Sequence, residues 1–216
     1  MDNTTNWYGF TDGLGEISCK RIIHSAEDKW ETAEIGQQYD IAPEDKVSIK
    51  NTPSPSKSVV RKSLETRLSE ISWTEDKWIY DAIWPYMEEA NVASGWGYSI
   101  MYAEPMQITK YDKDGFYGWH KDGKSDHLSK YNLPNNGYMH DKVRKLSMSI
   151  SLNDDYEGGD LEFAFYQRGE CTIKKAETNN IGNTIVFPSY QEHRITPVTK
   201  GTKYSLVVWF IGPPFV

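Results

Sequence analysis

Two histidines, one carboxylate and one lysine define the chemistry open to this chain: His120, Asp122, His193 and Lys203. His120 and Asp122 are separated by one residue, so at a strand end both side chains point the same way and can reach one ion. His193 joins them from a distant segment. Two neutral imidazoles and one carboxylate can occupy one face of a ferrous ion and leave the opposite face open, which suits oxygen activation. The carboxylate offsets part of the ion's charge and lowers the cost of holding it in a partly dry pocket. Lys203 follows the last ligand closely, where a cation could hold the far carboxylate of a diacid. Zinc hydrolysis by the same three ligands is chemically possible, but a hydrolase has no evident use for an anchor at Lys203. A single histidine is most often an ordinary hydrogen-bonded residue; the joint spacing favours ligation here. His24, on a first helix, and His127 and His140, in a polar loop over 123–143, are not expected to bind metal.

These residues need strands to position them, and the pattern supplies strands mainly after residue 98. Tyr98, Ile100 and Tyr102 alternate, and Gln107, Thr109 and Tyr111 should face opposite to Met106, Ile108 and Lys110. Leu146, Met148, Ile150 and Leu152 alternate again, before a turn-like Asn153-Asp154-Asp155-Tyr156-Glu157-Gly158-Gly159. Further strands are expected over 161–166, 171–174, 184–187 and 204–211, with Pro188 ending the one before His193. Many short strands joined by Gly- and Asn-rich turns argue for two packed β-sheets.

The N-terminal part reads differently. Asp12 could cap a first helix whose apolar stripe is Leu14, Ile17, Ile22, Ala26 and Trp30. Thr74 is expected to begin a second helix, with Glu75 and Asp76 in its first turn. Ile79, Ala82, Ile83, Tyr86, Met87 and Ala90 then form one packing face. Residues 36–63 are polar and proline-containing without periodicity, and read as a surface loop or lid. The expected organisation is one domain over 1–216, with 1–97 as helical support and loop and 98–212 as the β core.

The chain has 216 residues and a net charge of −7, which argues against a nucleic-acid footprint. Cys19 and Cys171 lie far apart without metal spacing and read as small buried thiols in a reducing compartment. No run approaches a membrane span and no signal segment opens the chain, so a soluble, cytoplasmic protein is expected. Oligomeric state is not legible in the sequence.

The run Tyr111-Asp112-Lys113-Asp114-Gly115-Phe116-Tyr117-Gly118-Trp119-His120-Lys121-Asp122 carries a further signal. Together with His193-Arg194-Ile195-Thr196-Pro197-Val198-Thr199-Lys200-Gly201-Thr202-Lys203, it resembles the prolyl 4-hydroxylase-like branch of the 2-oxoglutarate- and iron(II)-dependent oxygenases. The resemblance covers about residues 98 to 212. It implies a mostly β fold, a double-stranded β-helix (a cupin-like jelly roll) flanked by N-terminal helices. It also implies Fe(II) held by His120, Asp122 and His193, with 2-oxoglutarate and dioxygen as cosubstrates and ascorbate as an accessory reductant. Lys203 would bind the distal carboxylate of 2-oxoglutarate, with Tyr111 as second anchor and inward-facing Gln107 beside it. Some relatives place another tyrosine on the strand where this chain has Ser149 and Ser151. Arg67-Leu68-Ser69 resembles an Arg-x-Ser element near the substrate groove of relatives, and reads equally well as an amphipathic strand. Tyr117 could shape the entrance, and Trp209 could pack beside His193 or simply in the core.

The reaction so implied is hydroxylation of a C–H bond with release of succinate and CO2. The first expected acceptor is a prolyl residue of a peptide or protein, in a bacterial or phage-infected cytoplasm. A free amino acid or small metabolite is the alternative acceptor, with 36–63 and 123–143 as candidate covering loops. A jelly-roll binding module with a structural metal is the competing class; such a module has no reason to keep a diacid anchor at Lys203.

Overall fold

The structure, a computed structural model, describes residues 6–33, 66–123 and 129–215. The whole loop expected over 36–63, and His127, lie outside the described residues. In chain order the described elements are β1 (Tyr8–Phe10), α1 (Glu16–Ser25), β2 (Glu31–Thr32), β3 (Arg67–Leu68), β4 (Glu70–Thr74) and α2 (Lys77–Ala93). Then follow β5 (Tyr102–Ala103), β6 (Met106–Tyr111), β7 (Phe116–His120), β8 (Val143–Ser151), β9 (Glu157–Gly158) and β10 (Leu161–Gln167). The last five are β11 (Glu170–Lys175), β12 (Thr184–Pro188), β13 (His193–Ile195), β14 (Val198–Lys200) and β15 (Lys203–Gly212).

The strands build a major sheet in the order β1-β12-β8-β15-β6-β4-β2, with β5 added at the end of β15. A minor sheet runs β11-β10-β13-β7-β3, and β14 pairs with β9 beside it. Every described pairing is antiparallel. This is the expected jelly roll.

Strand alternation decides which face of the major sheet does what. On β8, Leu146, Met148 and Ile150 point outward to the helices, and on β15 Leu206, Val208 and Phe210 do the same. They pack on Cys19 and Ile22 of α1 and on Ile79, Ile83, Met87 and Ala90 of α2. Each such large side chain contributes roughly 1.5–3 kcal/mol on full burial, so Ile79, Ile83 and Met87 suffice to dock α2. The residues between them on β8, Ser147, Ser149 and Ser151, face the minor sheet. Small hydroxyl side chains there leave volume between the sheets. A second apolar cluster, with Tyr111, Phe163, Ile185, Phe187 and Ile195, closes the rest of that interior. Gln107, Thr109 and Tyr111 lie on the inner face and Met106 and Ile108 in the helix-side core, as the alternation predicts.

Several local expectations fail for identifiable reasons. Asp12 does not cap α1: it sits in a turn at φ 55°, and the helix starts after Gly15 with no side-chain cap. Ile17 is 86% exposed, so the buried face of α1 is Cys19 and Ile22. Cys19 is buried as expected, but Cys171 is exposed because β11 is the solvent-facing edge strand of the minor sheet. Thr74 ends β4, and α2 begins at Lys77 with Asp76 as N-cap, so Glu75 and Asp76 precede the first turn. The alternation at Tyr98–Ile100 is not a strand. Asn91 clamps Tyr98 there, its Nδ2 donating to the Tyr98 carbonyl at 2.8 Å and its Oδ1 accepting from the Tyr98 N–H at 2.9 Å. Residues before 98 are more than helical support, since β1 extends the major sheet, β4 joins β6, and β3 closes the minor sheet against β7.

Candidate active site

His120 closes β7 and His193 opens β13, and the two are direct cross-strand partners in the minor sheet. Their rings lie 4.2 Å apart between centroids. Each ring is pinned through Nδ1: His120 donates to the Gly118 carbonyl at 2.8 Å, and His193 to the Gln191 carbonyl at 2.9 Å. A carbonyl can only accept, so both protons sit on Nδ1 and both Nε2 lone pairs are free. Asp122 lies just beyond β7 and reaches across to the major sheet, where the Ser147 hydroxyl donates to its Oδ2 at 2.7 Å. The Ser147 and Ser189 hydroxyls are 2.9 Å apart, and the Asp122 N–H donates to the Ser189 carbonyl at 2.9 Å. Asp122 Oδ1 lies 3.7 Å from His120 Nε2 and Oδ2 lies 3.7 Å from His193 Nε2. All three ligand atoms fall within 4.8 Å of one another.

The electrostatics suit a divalent ion. Burial drives the His120 pKa down to about 3, helped by neighbouring His193, so the ring is a neutral donor. Burial alone would raise the Asp122 carboxyl, but His193, His120, Arg144 and the Ser147 hydrogen bond outweigh it and hold it below the usual range. Two free imidazole nitrogens and one ionised carboxylate oxygen converging on one point form a donor set that fits Fe(II). The hydrogen bonds behind them fix ring orientation as outer partners of metal ligands do.

Aromatic rings wall the site. Tyr117 stacks on His120 at 3.6 Å between centroids, and the Arg67 guanidinium lies over the Tyr117 ring at 4.5 Å. Arg67 is buried and its Nε donates to the Ser69 hydroxyl at 2.7 Å, so the Arg-x-Ser element is not a solvated edge. Among the described residues its buried Nη2 has no hydrogen-bond partner. Phe163 and Phe187 flank His193 at 6.0 and 4.8 Å. Trp209 does not stack on His193. It faces inward on β15 beneath the Arg144 guanidinium, 3.9 Å from its centroid, and 6.3 Å from Trp73.

Lys203 opens β15 directly opposite Tyr111 of β6. It is 2% exposed, and burial pulls its pKa down to about 8. Gln107 lies on the same inner face and donates from Nε2 to the Thr109 hydroxyl at 2.7 Å. His24 and His140 stand apart from this cluster: His24 pairs with Glu27 on α1, and His140 Nδ1 accepts the Leu133 N–H at 3.2 Å.

Three groups in or beside the site are not among the site residues that the sequence pattern singles out. Ser147 and Ser189 orient Asp122. Arg144 forms a buried two-bond ion pair with Glu104, at 2.8 and 2.7 Å, and Tyr131 donates to the same carboxylate at 2.6 Å. Tyr156 accepts a hydrogen bond from Lys203 Nζ at 2.8 Å. A lone aromatic inside a turn of Asn, Asp and Gly was the available hint for Tyr156; the others depend on strand register.

Residues 106–211 match the family model of the 2OG-Fe(II) oxygenase superfamily, a segment that includes His120, Asp122, His193 and Lys203. Through this segment, just under half of its length, the chain is similar to that superfamily. A PKHD-type hydroxylase of Delftia acidovorans is 31% identical over 107 residues, 49% of this chain and 42% of that protein. The chain thus spans less than half the length of this curated relative. Among solved structures, the viral collagen prolyl hydroxylase of Paramecium Bursaria Chlorella virus-1 has a TM-score of 0.60 at 17% identity, covering 98% of this chain and 99% of that one. A Trichoplax adhaerens prolyl hydroxylase, in complex with a hypoxia inducible factor peptide fragment, has a TM-score of 0.61 at 14% identity over 96% of this chain and 84% of that one. At these identities the likeness is one of fold, and it extends over the N-terminal elements that the superfamily match leaves out.

Proposed function

We propose that this chain is a 2-oxoglutarate- and Fe(II)-dependent dioxygenase that hydroxylates a C–H bond with release of succinate and CO2. We further propose that the acceptor is a prolyl residue of a peptide or protein. One observation carries the reading. Both free imidazole nitrogens and the Asp122 carboxylate converge at the end of the minor sheet, while the buried cation of Lys203 faces into the same interior from β15. A metal bound only for structure needs no such cation. The prolyl part rests on the kind of acceptor named for the fold neighbours, peptide-bound in one case. On this reading the whole chain acts as one oxygenase domain, its N-terminal strands completing both sheets.

When bound, iron together with 2-oxoglutarate and dioxygen supplies the oxidising power that places a hydroxyl on carbon. The chain supplies the rest. His120, Asp122 and His193 would hold the ion on one face, and Lys203 with Tyr111 would orient the cosubstrate by its far carboxylate. Burial of the Lys203 ammonium strengthens that attraction, because little water competes for it. Gln107 and Thr109 line the inner face between Tyr111 and the rim. Tyr117, Phe163 and Phe187 keep water from the ligand atoms and hold the imidazoles in plane. Arg67, whose Nη2 has no hydrogen-bond partner among the described residues, offers a donor to an acceptor carbonyl, and Trp209 offers an apolar wall.

Incubation with Fe(II), 2-oxoglutarate, ascorbate and proline-containing peptides tests both parts. Succinate release coupled to a peptide gaining one oxygen atom is expected, with loss of both in His193→Ala. Succinate formed without any peptide, metabolite or amino-acid product would leave only the uncoupled reaction. Equal turnover in a variant lacking all three ligands would refute the assignment.

A further inference from the structure

The minor sheet ends on β11, and that edge is open. Glu170–Lys175 are exposed along the whole strand, which pairs with β10 on one side and with no strand among the described residues on the other. An exposed strand edge is a template for a further strand, and folded proteins normally blunt it with charge, proline or a bulge. β11 holds no proline, and its ladder with β10 runs unbroken from Glu162–Lys175 to Gln167–Glu170. Of its two lysines, Lys175 is already paired with Asp160 at 2.7 Å.

Hydrogen-bond parity decides which backbone groups the edge offers. Arg168 and Gly169, both at positive φ, form the two-residue turn between β10 and β11. The pair that closes such a turn exchanges hydrogen bonds, and bonded pairs then alternate along the ladder. Glu170, Thr172 and Lys174 thus bond back to β10. The Ala176 N–H continues that series, donating to the Leu161 carbonyl at 2.9 Å. The N–H and C=O groups of Cys171 and Ile173 therefore point out from the edge. Side chains alternate between the two faces of the sheet. Cys171 lies beside Tyr166 and Ile173 beside Ala164 on one face, where Ile173 is 49% and Tyr166 66% exposed. Glu170, Thr172 and Lys174 share the other face. Among the described residues neither Glu170 nor Lys174 has an ion-pair partner, and Lys174 lies only over the Phe165 ring at 5.6 Å.

We propose that two copies of this chain pair antiparallel through β11, with Thr172 facing Thr172 across a twofold axis, and so join their minor sheets into one. Only residues whose backbone groups point outward can form the new ladder, so Cys171 of one copy bonds Ile173 of the other, twice by symmetry. The same register sets Glu170 of each copy opposite Lys174 of the other, and opposite charges facing across a strand pair are stabilising. On the other face it brings the exposed Ile173 against Cys171, beside Tyr166. A shift of two residues either way, which parity also allows, sets Glu170 or Lys174 opposite Thr172 and loses both charge pairs. The strand is therefore complementary to itself in one register. A single edge ladder is a small interface, so the dimer is weak and depends on concentration.

Pairing of this kind uses no metal ligand and does not depend on the oxygenase reading. Sedimentation equilibrium of the full chain, across roughly micromolar to millimolar concentration, compares the parent with Lys174→Glu and with the double swap Glu170→Lys/Lys174→Glu. Circular dichroism checks that the strands are kept. The parent mass is expected to climb from one chain towards two. Lys174→Glu should associate about tenfold more weakly, because symmetry sets like charges opposite each other twice. The double swap restores both opposite-charge pairs and should associate as the parent does. A parent that stays monomeric throughout would mean that Glu170 and Lys174 only blunt the edge, and would overturn the proposal. So would a dimer indifferent to Lys174→Glu, or a loss that the double swap does not restore.

Discussion

Lys203→Met separates two effects that usually travel together, because among the described residues the buried lysine meets a neutral phenol and no ion-pair partner. Burial takes its pKa from the ordinary 10.5 to about 8. At about 1.4 kcal/mol per pKa unit, holding that charge inside costs roughly 3 kcal/mol. Methionine keeps the length of the stem and removes the charge, at the loss of one hydrogen bond to Tyr156 worth about 1 kcal/mol. The variant should therefore be more stable than the parent by roughly 2 kcal/mol at neutral pH, in the absence of added metal and 2-oxoglutarate. Below the folded pKa both states carry the proton and the cost is complete. Between about 8 and 10.5 the unfolded chain holds a proton that the folded one releases, so the parent gains stability as pH rises. Urea unfolding of both proteins at neutral pH and in that window should show the gap narrowing. The same variant should bind 2-oxoglutarate roughly 10- to 100-fold more weakly, the loss expected for one charge-assisted bond. A variant less stable than the parent at neutral pH, with a gap indifferent to pH, would refute the picture of Lys203 as a cation awaiting its anion.

Two further changes probe the supports of the site. Ser147→Ala removes the 2.7 Å bond to Asp122 and should weaken Fe(II) binding about tenfold, read by metal competition; unchanged affinity would deny Ser147 an orienting role. Glu104→Ala removes the two-bond ion pair to the buried Arg144 and should cost about 3–5 kcal/mol of stability, read by denaturant midpoint. A loss below about 1 kcal/mol would mean that water reaches the guanidinium.

The core of the site was legible because its spacing follows strand geometry. His120 and Asp122 leave the end of β7 together, and Lys203 begins the strand whose outward residues alternate visibly as Leu206, Val208 and Phe210. The inward row Gln107, Thr109 and Tyr111 followed from the same period. What the sequence hid depends on register and on contacts across long separations. Ser147 meets Asp122 only because β8 lies next to β15 in the major sheet while β7 belongs to the minor one. Glu104 and Arg144 are 40 residues apart and meet over Trp209. β1 and β3 are three and two residues long, too short for a period-2 signal. Tyr98 shows the converse failure, since its alternation is real but Asn91 has claimed the backbone that a strand would pair.

The most direct test of the central claim is visible absorption of the Fe(II)-reconstituted protein, titrated with 2-oxoglutarate in the absence of oxygen. A weak charge-transfer band that grows to saturation, and is lost in His193→Ala, is the expected result. Confirmed iron binding without any band would contradict the claim, because the open face of the triad would then not accept a 2-oxo acid.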